Sequence, residues 1–342
     1  MGRIVLVTGV SRDLGQRFAR QIAASPKVGR VIGVDVTPPR RDLGEVSFVR
    51  ADIRNPVIAK VIVREQVDTV VHMSVLPAGG TPAGGRSAAK EFNVIGTMQL
   101  LAACQQAPDL ESVVVKSSTA VYGSSNRDPA MFTEDMNARR LGGGFPKDVA
   151  DVEAYVRGFA RRRPDVRVTT LRTAHAVGPD LTTPLTSYFR LPVIPTVLGF
   201  DPRMQFLGDR DLLDALEHAT LNDVAGTFNI AGDGVLMLSQ AIRRLGRPSL
   251  PLPSFALSSV GSAVRQMRRA DFSPEQVALL TYGRGVDTTR MREVLGFRPS
   301  CTTEQAFAEF AGSLEPGLVS ERRLRAVEGA ITGAMTGGGS HG

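Results

Sequence analysis

Residues 3–35 constrain this chain more than any other stretch. Ile4-Val5-Leu6-Val7 is a β-branched run, followed by the turn Thr8-Gly9-Val10-Ser11-Arg12-Asp13-Leu14-Gly15. A helical pattern then runs through Phe18, Ile22 and Ala23, and a second apolar strand, Val31-Ile32-Gly33-Val34, ends in Asp35. Strand, glycine turn, helix and strand make a βαβ unit. In such a unit the glycines let backbone approach a pyrophosphate at the helix N-terminus. An acid about 20 residues further on accepts the ribose hydroxyls of an adenosine. Gly9, Ser11, Asp13, Leu14 and Gly15 are therefore the expected phosphate-loop residues, and Asp35 the expected ribose ligand. Arg12 stands where the middle glycine of such a loop normally lies, placed either to salt-bridge the pyrophosphate or to crowd it. Asp35 would repel a 2′-phosphate, which favours NAD over NADP, although Arg40 and Arg41 are near enough in sequence to leave NADP open.

The rest of the composition narrows the class. A chain of 342 residues holds one large α/β domain with a smaller one appended. Apolar residues make up 42%, enough for a full core, and mean hydropathy is −0.02. The longest apolar runs, such as Val67–Val75, contain Asp68 and His72 and are of strand length, so no transmembrane helix is expected. The first strand begins at Arg3, which leaves no room for a signal peptide and makes the cytoplasm the simplest location. Cys104 and Cys301 lie far apart without a histidine cluster, so neither a disulfide framework nor a metal site is expected. The net charge is +7 with a pI of 9.9. Clusters such as Arg161-Arg162-Arg163 and Arg268-Arg269 read as solvated helix faces, so no nucleic-acid partner is expected.

Apolar runs recur between helical patterns: Ile4–Val7, Val31–Val34, Val46–Val49, Val67–His72, Val113–Lys116 and Val168–Leu171. This alternation predicts a Rossmann-type doubly wound parallel sheet of the α/β class. The spacing also predicts one helix over Ser87–Gln106, with Phe92, Ile95, Met98, Leu101 and Ala102 on one face, and another over Lys147–Arg161. The Gly/Pro-rich loop Pro77–Gly85 follows the fourth strand, on the edge where ligands bind. After Pro179 the alternation fades. The expected division is a nucleotide-binding domain over 1–178, to which 205–233 returns through the strand Gly226–Ile230. A smaller irregular substrate lobe takes 179–204 and 234–325, and residues 326–342 form a disordered tail.

Further segments complete a pattern: Ala51-Asp52-Ile53, Val71-His72-Met73-Ser74, Asn93-Val94-Ile95-Gly96-Thr97, Ser117-Ser118-Thr119-Ala120-Val121-Tyr122-Gly123, Leu171–Pro179, Asp287-Thr288-Thr289 and Leu295–Pro299. Over residues 3–310 the chain resembles the extended short-chain dehydrogenases/reductases, specifically the NAD-dependent nucleotide-sugar epimerase/dehydratase family, and within it actinobacterial UDP-glucose 4-epimerase-like proteins. The resemblance implies adenine contacts at Asp52 and the Ile53 amide, a cofactor contact near Asn93, a small-molecule substrate of nucleotide-sugar type and a homodimer. It places the catalytic hydroxyl at Ser118. Lys147 matches the lysine that holds the nicotinamide ribose and lowers the pKa of a catalytic tyrosine.

That tyrosine is absent. Gly143 stands four residues before Lys147, and no tyrosine occurs between Tyr122 and Tyr155. Tyr122 belongs to the strand-end motif, Tyr155 is two helical turns (about 12 Å) beyond Lys147, and Tyr188 sits in the small lobe. Thr119-Ala120 replace the Asp-Glu of the dehydratases, so dehydration is not expected, and Thr119 is left as a substrate contact. The diphosphate-gripping arginine falls at Met204, with Arg203 beside it but facing the other way in a plain strand. Gly208 replaces a usual histidine, while Asp211 is retained. His175 stands where an asparagine touches substrate, and is either a substitute acid/base, since imidazole titrates near neutrality, or a structural histidine. Three readings of function are open. The chain is an NAD-dependent epimerase or dehydrogenase with a degenerate site, or a non-catalytic NAD(H)-binding sensor or subunit. In the third it is an oxidoreductase on a hydrophobic or lipid-linked alcohol, suggested by the apolar-basic stretch Phe255–Arg269.

Overall fold

The computed structural model describes residues 2–75, 85–138, 141–257 and 272–315. The Pro77–Gly85 loop as far as residue 84, the stretch Phe255–Arg269 beyond residue 257, and the tail 326–342 thus lie outside the described residues. Within them, β1 (Arg3–Thr8), β2 (Val28–Asp35), β3 (Ser47–Arg50), β4 (Thr69–His72), β5 (Ser112–Ser118), β6 (Arg167–Thr173) and the strand Gly226–Ile230 form one seven-stranded parallel sheet. Its order is 226–230, β6, β5, β4, β1, β2, β3. The order reverses between β1 and β4, and the crevice beyond the carboxyl ends at such a point is where α/β sheets bind ligands.

Both faces of the sheet are covered, which is why its strands read as continuous apolar runs rather than alternating ones. Val5, Val7, Val71 and Val114 point to one core, shared with Phe18, Ala19 and Ile22 of helix α1 (Asp13–Ala23) and with the helix Asp209–Leu221. Leu6, Val70, Val113 and Val115 point to the other, against helices α2 (Val57–Arg64), α4 (Gly96–Gln105) and α5 (Phe145–Arg162). The smaller lobe packs around Tyr188, Phe189, Phe206, Phe272, Phe307 and Phe310. Tyr188 is wholly buried, donates to the Pro195 carbonyl at 2.9 Å, and is therefore part of this core.

One expected helix differs. Ser87–Gln106 is not continuous: a short helix α3 (Gly85–Lys90) passes into a π-turn over Glu91–Ile95 before α4 begins. The extra residue shifts the helical phase, so Asn93 and Val94 turn inward while Ile95 stays 38% exposed.

A buried polar network ties the layers together. The Arg172 guanidinium on β6 forks onto the Glu153 carboxylate of α5, with Nη2 to Oε2 at 2.7 Å and Nε to Oε1 at 3.0 Å. Glu153 also accepts from Ser117 Oγ at 2.6 Å. The other arm of Arg172 donates to the Tyr122 hydroxyl at 2.8 Å and to the Glu134 carbonyl at 2.9 Å. Tyr122 in turn donates to Asn229 Oδ1 at 2.8 Å and stacks on Phe132. Burial alone would lower the Arg172 pKa, but the hydrogen bonds and charge of Glu153 outweigh it and hold the guanidinium firmly protonated. Removing one member strands the other without solvent. Arg172→Met is expected to cost about 3–5 kcal/mol, read as a lowered urea midpoint; an unchanged midpoint would mean that Glu153 finds water instead.

Candidate cofactor and substrate site

The phosphate loop is built by close packing. Gly9 has φ +82°, and a side chain on it would press on Ser74 Oγ. A Cβ on Gly15 would lie 2.1 Å from the Gly9 carbonyl oxygen, so the first turn of α1 tolerates only glycine there. Arg12 enters α1 in extended conformation, and no side chain caps that end. The first-turn amides around Asp13, Leu14 and Gly15 are thus left to a ligand. Asp35 is fixed against this loop: its Oδ2 accepts from the Ser11 amide at 3.0 Å and its Oδ1 from the Val36 amide at 2.7 Å. Ser11 Oγ donates to the Thr37 carbonyl. The Arg12 side chain is half-buried. Burial lowers its pKa against the opposing pull of Asp35, which places guanidinium and carboxylate close together on this edge.

Beyond β3, the Asp52 carboxylate is gripped by Arg54, with Nη2 to Oδ2 at 2.6 Å. These hydrogen bonds, against burial, hold Asp52 below the usual carboxylate range. Any adenine donor would share that carboxylate with Arg54. Ile53 is buried and abuts Gly96, where a Cβ would come within 2.9 Å of Ile53 Cδ1. Asn93 is buried in the π-turn, with Nδ2 3.5 Å from Asp148 Oδ2.

The end of β4 holds a group with no role in the sequence reading. His72 is buried between Thr8 Oγ1 and Thr97 Oγ1, each at 2.9 Å. Burial, then the charge of Lys116, pushes its pKa down to about 4. The neutral ring stitches β1 and β4 to α4 beneath the crevice.

The catalytic half departs further from expectation. Ser118 ends β5, and its Oγ accepts from the Ala120 amide at 3.1 Å, which leaves the hydroxyl proton to donate. Thr119 is 3% exposed and starts the 3₁₀ turn Thr119–Tyr122. Lys147 lies on the outer face of α5, where its ammonium pairs with Asp151. The same turn presents Val149 to the core, with Phe145 packed against it. The helix thus turns a phenyl and an isopropyl group inward at the i, i+4 spacing of a tyrosine and a lysine. Gly143 precedes the helix in open space, with nothing within 4 Å of an added Cβ. Gly144, at φ +80°, lies against the Glu275 carboxylate, and Arg86 donates to its carbonyl at 2.8 Å. Tyr155 lies outward on α5 and is 39% exposed.

On the opposite side, His175 Nε2 is buried without a hydrogen-bond partner among the described residues. Burial, then the charge of Arg284, pushes its pKa down to about 3. Titration near neutrality, the argument for His175 as a substitute acid/base, does not hold in this environment. Arg284 itself, lowered to about 10 by burial, donates to the Gly123 carbonyl at 2.7 Å and to Ser124 Oγ at 3.1 Å. Met204 is buried, while Arg203 faces out and lines with Arg284, Ser125, Asp128 and Asp201 a cleft of about 340 Å³. The structure therefore brings Gly9, Ser11, Arg12, Asp13, Leu14, Gly15 and Asp35 to one edge, with Asp52 and Ile53 beyond, and leaves Lys147 outside it. Sequence reading also passed over Lys116 on β5, whose signal was a lone cation closing the run Val113-Val114-Val115.

Residues 5–231 match the model of the NAD dependent epimerase/dehydratase family. An uncharacterized protein of Mycobacterium tuberculosis (strain H37Rv) is 48% identical over 345 residues, covering 99% of this chain and 91% of the relative. Solved structures share the fold. The UDP-glucose 4-epimerase of Thermotoga maritima with UDP-glucose superposes with a TM-score of 0.69 at 15% identity, over 91% of this chain and 98% of that one. A dTDP-glucose 4,6-dehydratase of Bacillus anthracis in complex with NAD gives 0.68 at 18% identity, over 91% and 96%. The glycine turn, the acid at the end of β2 and the family match agree, and the chain belongs to the NAD-dependent epimerase/dehydratase family.

Proposed function

We propose that this protein binds NAD and a nucleotide sugar or related alcohol as an oxidoreductase whose usual acid/base is missing. The observation that carries the reading is the contrast across the crevice. The loop Gly9–Gly15 and Asp35 keep a dinucleotide cradle, while α5 turns Phe145 and Val149 inward and Lys147 outward. Bound NAD supplies a hydride acceptor for a secondary alcohol. The first turn of α1 binds the pyrophosphate, Asp35 accepts the ribose hydroxyls, and Ser118 donates to the substrate oxygen. Asp52, Ile53 and Asn93 border the adenine side, and Thr119 and Arg203 border the substrate. The likeness of the fold to proteins solved with UDP-glucose supports a nucleotide-sugar ligand. The loss of both phenol and inward lysine favours a second reading, a non-catalytic NAD(H)-binding sensor or subunit.

Two measurements test this. Calorimetry is expected to give tighter binding of NAD than of NADP, with NAD weakened in Asp35→Ala; tighter NADP binding would move the ribose contact to Arg12, Arg40 or Arg41. Turnover of UDP-glucose and UDP-galactose is expected to be absent or very slow, because general acid–base catalysis supplies about 10²–10⁴-fold. Rates of about 1–10³ s⁻¹, ordinary for enzymes, would show that another group carries the proton.

We also propose a homodimer through α5 and the π-turn that leads into α4, which expose Tyr155 and Ile95 at 39% and 38%. Light scattering at micromolar concentration should report twice the 36.6 kDa chain; a strict monomer there defeats this assignment.

A further inference from the structure

Lys116 is a cation placed where a buried strand has no structural use for one. On β5, Val113 and Val115 face the core shared with α4 and α5, and Val114 faces the core shared with α1. The two-residue period puts Lys116 on the side of Val114 and, two residues on, Ser118 on the same side. The β4–β5 ladder ends at His72 opposite Val115, so Lys116 stands one residue higher, at the carboxyl edge beside Met73. Its partner on β6 is Leu171, which is wholly buried. Among the described residues no group accepts a hydrogen bond from its amine and no carboxylate pairs with it. Burial lowers that amine to about 8, with no opposing charge to restore it. Its charge is felt by His72, kept neutral by its own burial. Lys116 is half-buried, so its ammonium keeps an opening to the carboxyl edge rather than lying sealed in the core. A cation on that edge, without a partner among the described residues, stands where α/β sheets bind ligands.

The sheet order says which part of a ligand it meets. Asp35 and Asp52 end β2 and β3, on the adenosine side, and α1 takes the pyrophosphate above β1. Continuing across the edge reaches β4 and then β5, about 10 Å from β1 at one strand spacing each. We propose that Lys116 is the cation that holds the nicotinamide half of the dinucleotide, taking from β5 the place that a lysine on α5 does not fill here. The assignment rests on the reading that the protein binds NAD.

Lys116→Met keeps the length of the side chain and removes its charge. With the full chain, thermal unfolding without ligand checks that the variant is folded. Calorimetry should show NADH bound about 10- to 100-fold more weakly, as when a charge-assisted hydrogen bond is lost. ADP, which carries only the adenosine side, should bind within about two-fold of the wild-type affinity. Unchanged NADH affinity, or an equal loss for ADP, overturns the assignment. The wild-type protein gives an independent measurement should the variant fail to fold. Acylation of amines at about pH 8, mapped by mass spectrometry, should modify Lys116 and be blocked there by NADH, while Lys27, Lys60 and Lys90 react regardless. Equal labelling of Lys116 with and without NADH overturns it as well. If the wild type binds no NADH, the NAD reading itself fails; if it binds NADH and the variant binds equally, only the role of Lys116 fails.

Discussion

The ion pair between Arg172 and Glu153 sets the geometry of the whole carboxyl edge. It joins β6 to α5 with three hydrogen bonds between buried side chains, and through Ser117 and Tyr122 it reaches β5 and the turn after it. A buried pair of this kind gains little over apolar packing, but it is intolerant of misplacement, because either partner alone is a buried charge. Its effect is therefore to fix the rotation of α5. Lys147 precedes Glu153 by six residues, which at 100° per residue leaves it about 120° away around the helix axis. With Glu153 locked inward, Lys147 must face solvent, and Val149, one turn before Glu153, must face the core. The same rotation turns Asp148 inward to Arg86.

This explains which parts of the molecule were legible in its sequence. The glycine turn and the placement of Asp35 beside it were readable because their determinants are local. Gly9 and Gly15 answer to each other across six residues, and Asp35 meets Ser11 from the end of the next strand. The parallel strands were readable because both faces of the sheet are buried, so each strand announces itself as an apolar run. The π-turn at Glu91–Ile95 was not, since one inserted residue leaves composition unchanged and only shifts the phase of α4 after it. The α5 lysine was misplaced for a related reason. Spacing from Gly143 to Lys147 is the same as from Phe145 to Val149, and only the long-range contact with Arg172 decides which set turns inward. His175 shows the same limit: its neutrality depends on burial and on Arg284, more than a hundred residues later.

Small groups also decide the substrate side. Arg284 holds the Gly123 carbonyl and Ser124 in place, and so supports the turn that carries Ser118 from below. Arg203 and Met204 divide the two faces of one short strand, so an arginine reaches the cleft only by being one position away from the register of a buried methionine. The Glu275 carboxylate against Gly144 then draws the smaller lobe onto the N-terminus of α5, where a negative charge complements the unpaired amides of the first turn.

Taken together, these contacts separate binding from proton transfer. The dinucleotide edge depends on glycines, a helix terminus and one carboxylate, none of which touches α5. The proton-handling groups in the related pattern belong to α5 and the residues just before it, and the inner face of α5 carries Val149 and Val152 beside the paired carboxylates Asp148 and Glu153. Changes at Gly143 and Lys147 therefore leave the glycine turn and the core contacts of α5 in place. In the proposed reading a dinucleotide brings two negative charges to an edge where α1 offers only partial ones. Arg12 at the start of α1 and Lys116 on β5 are half-buried cations that the described residues set along that edge.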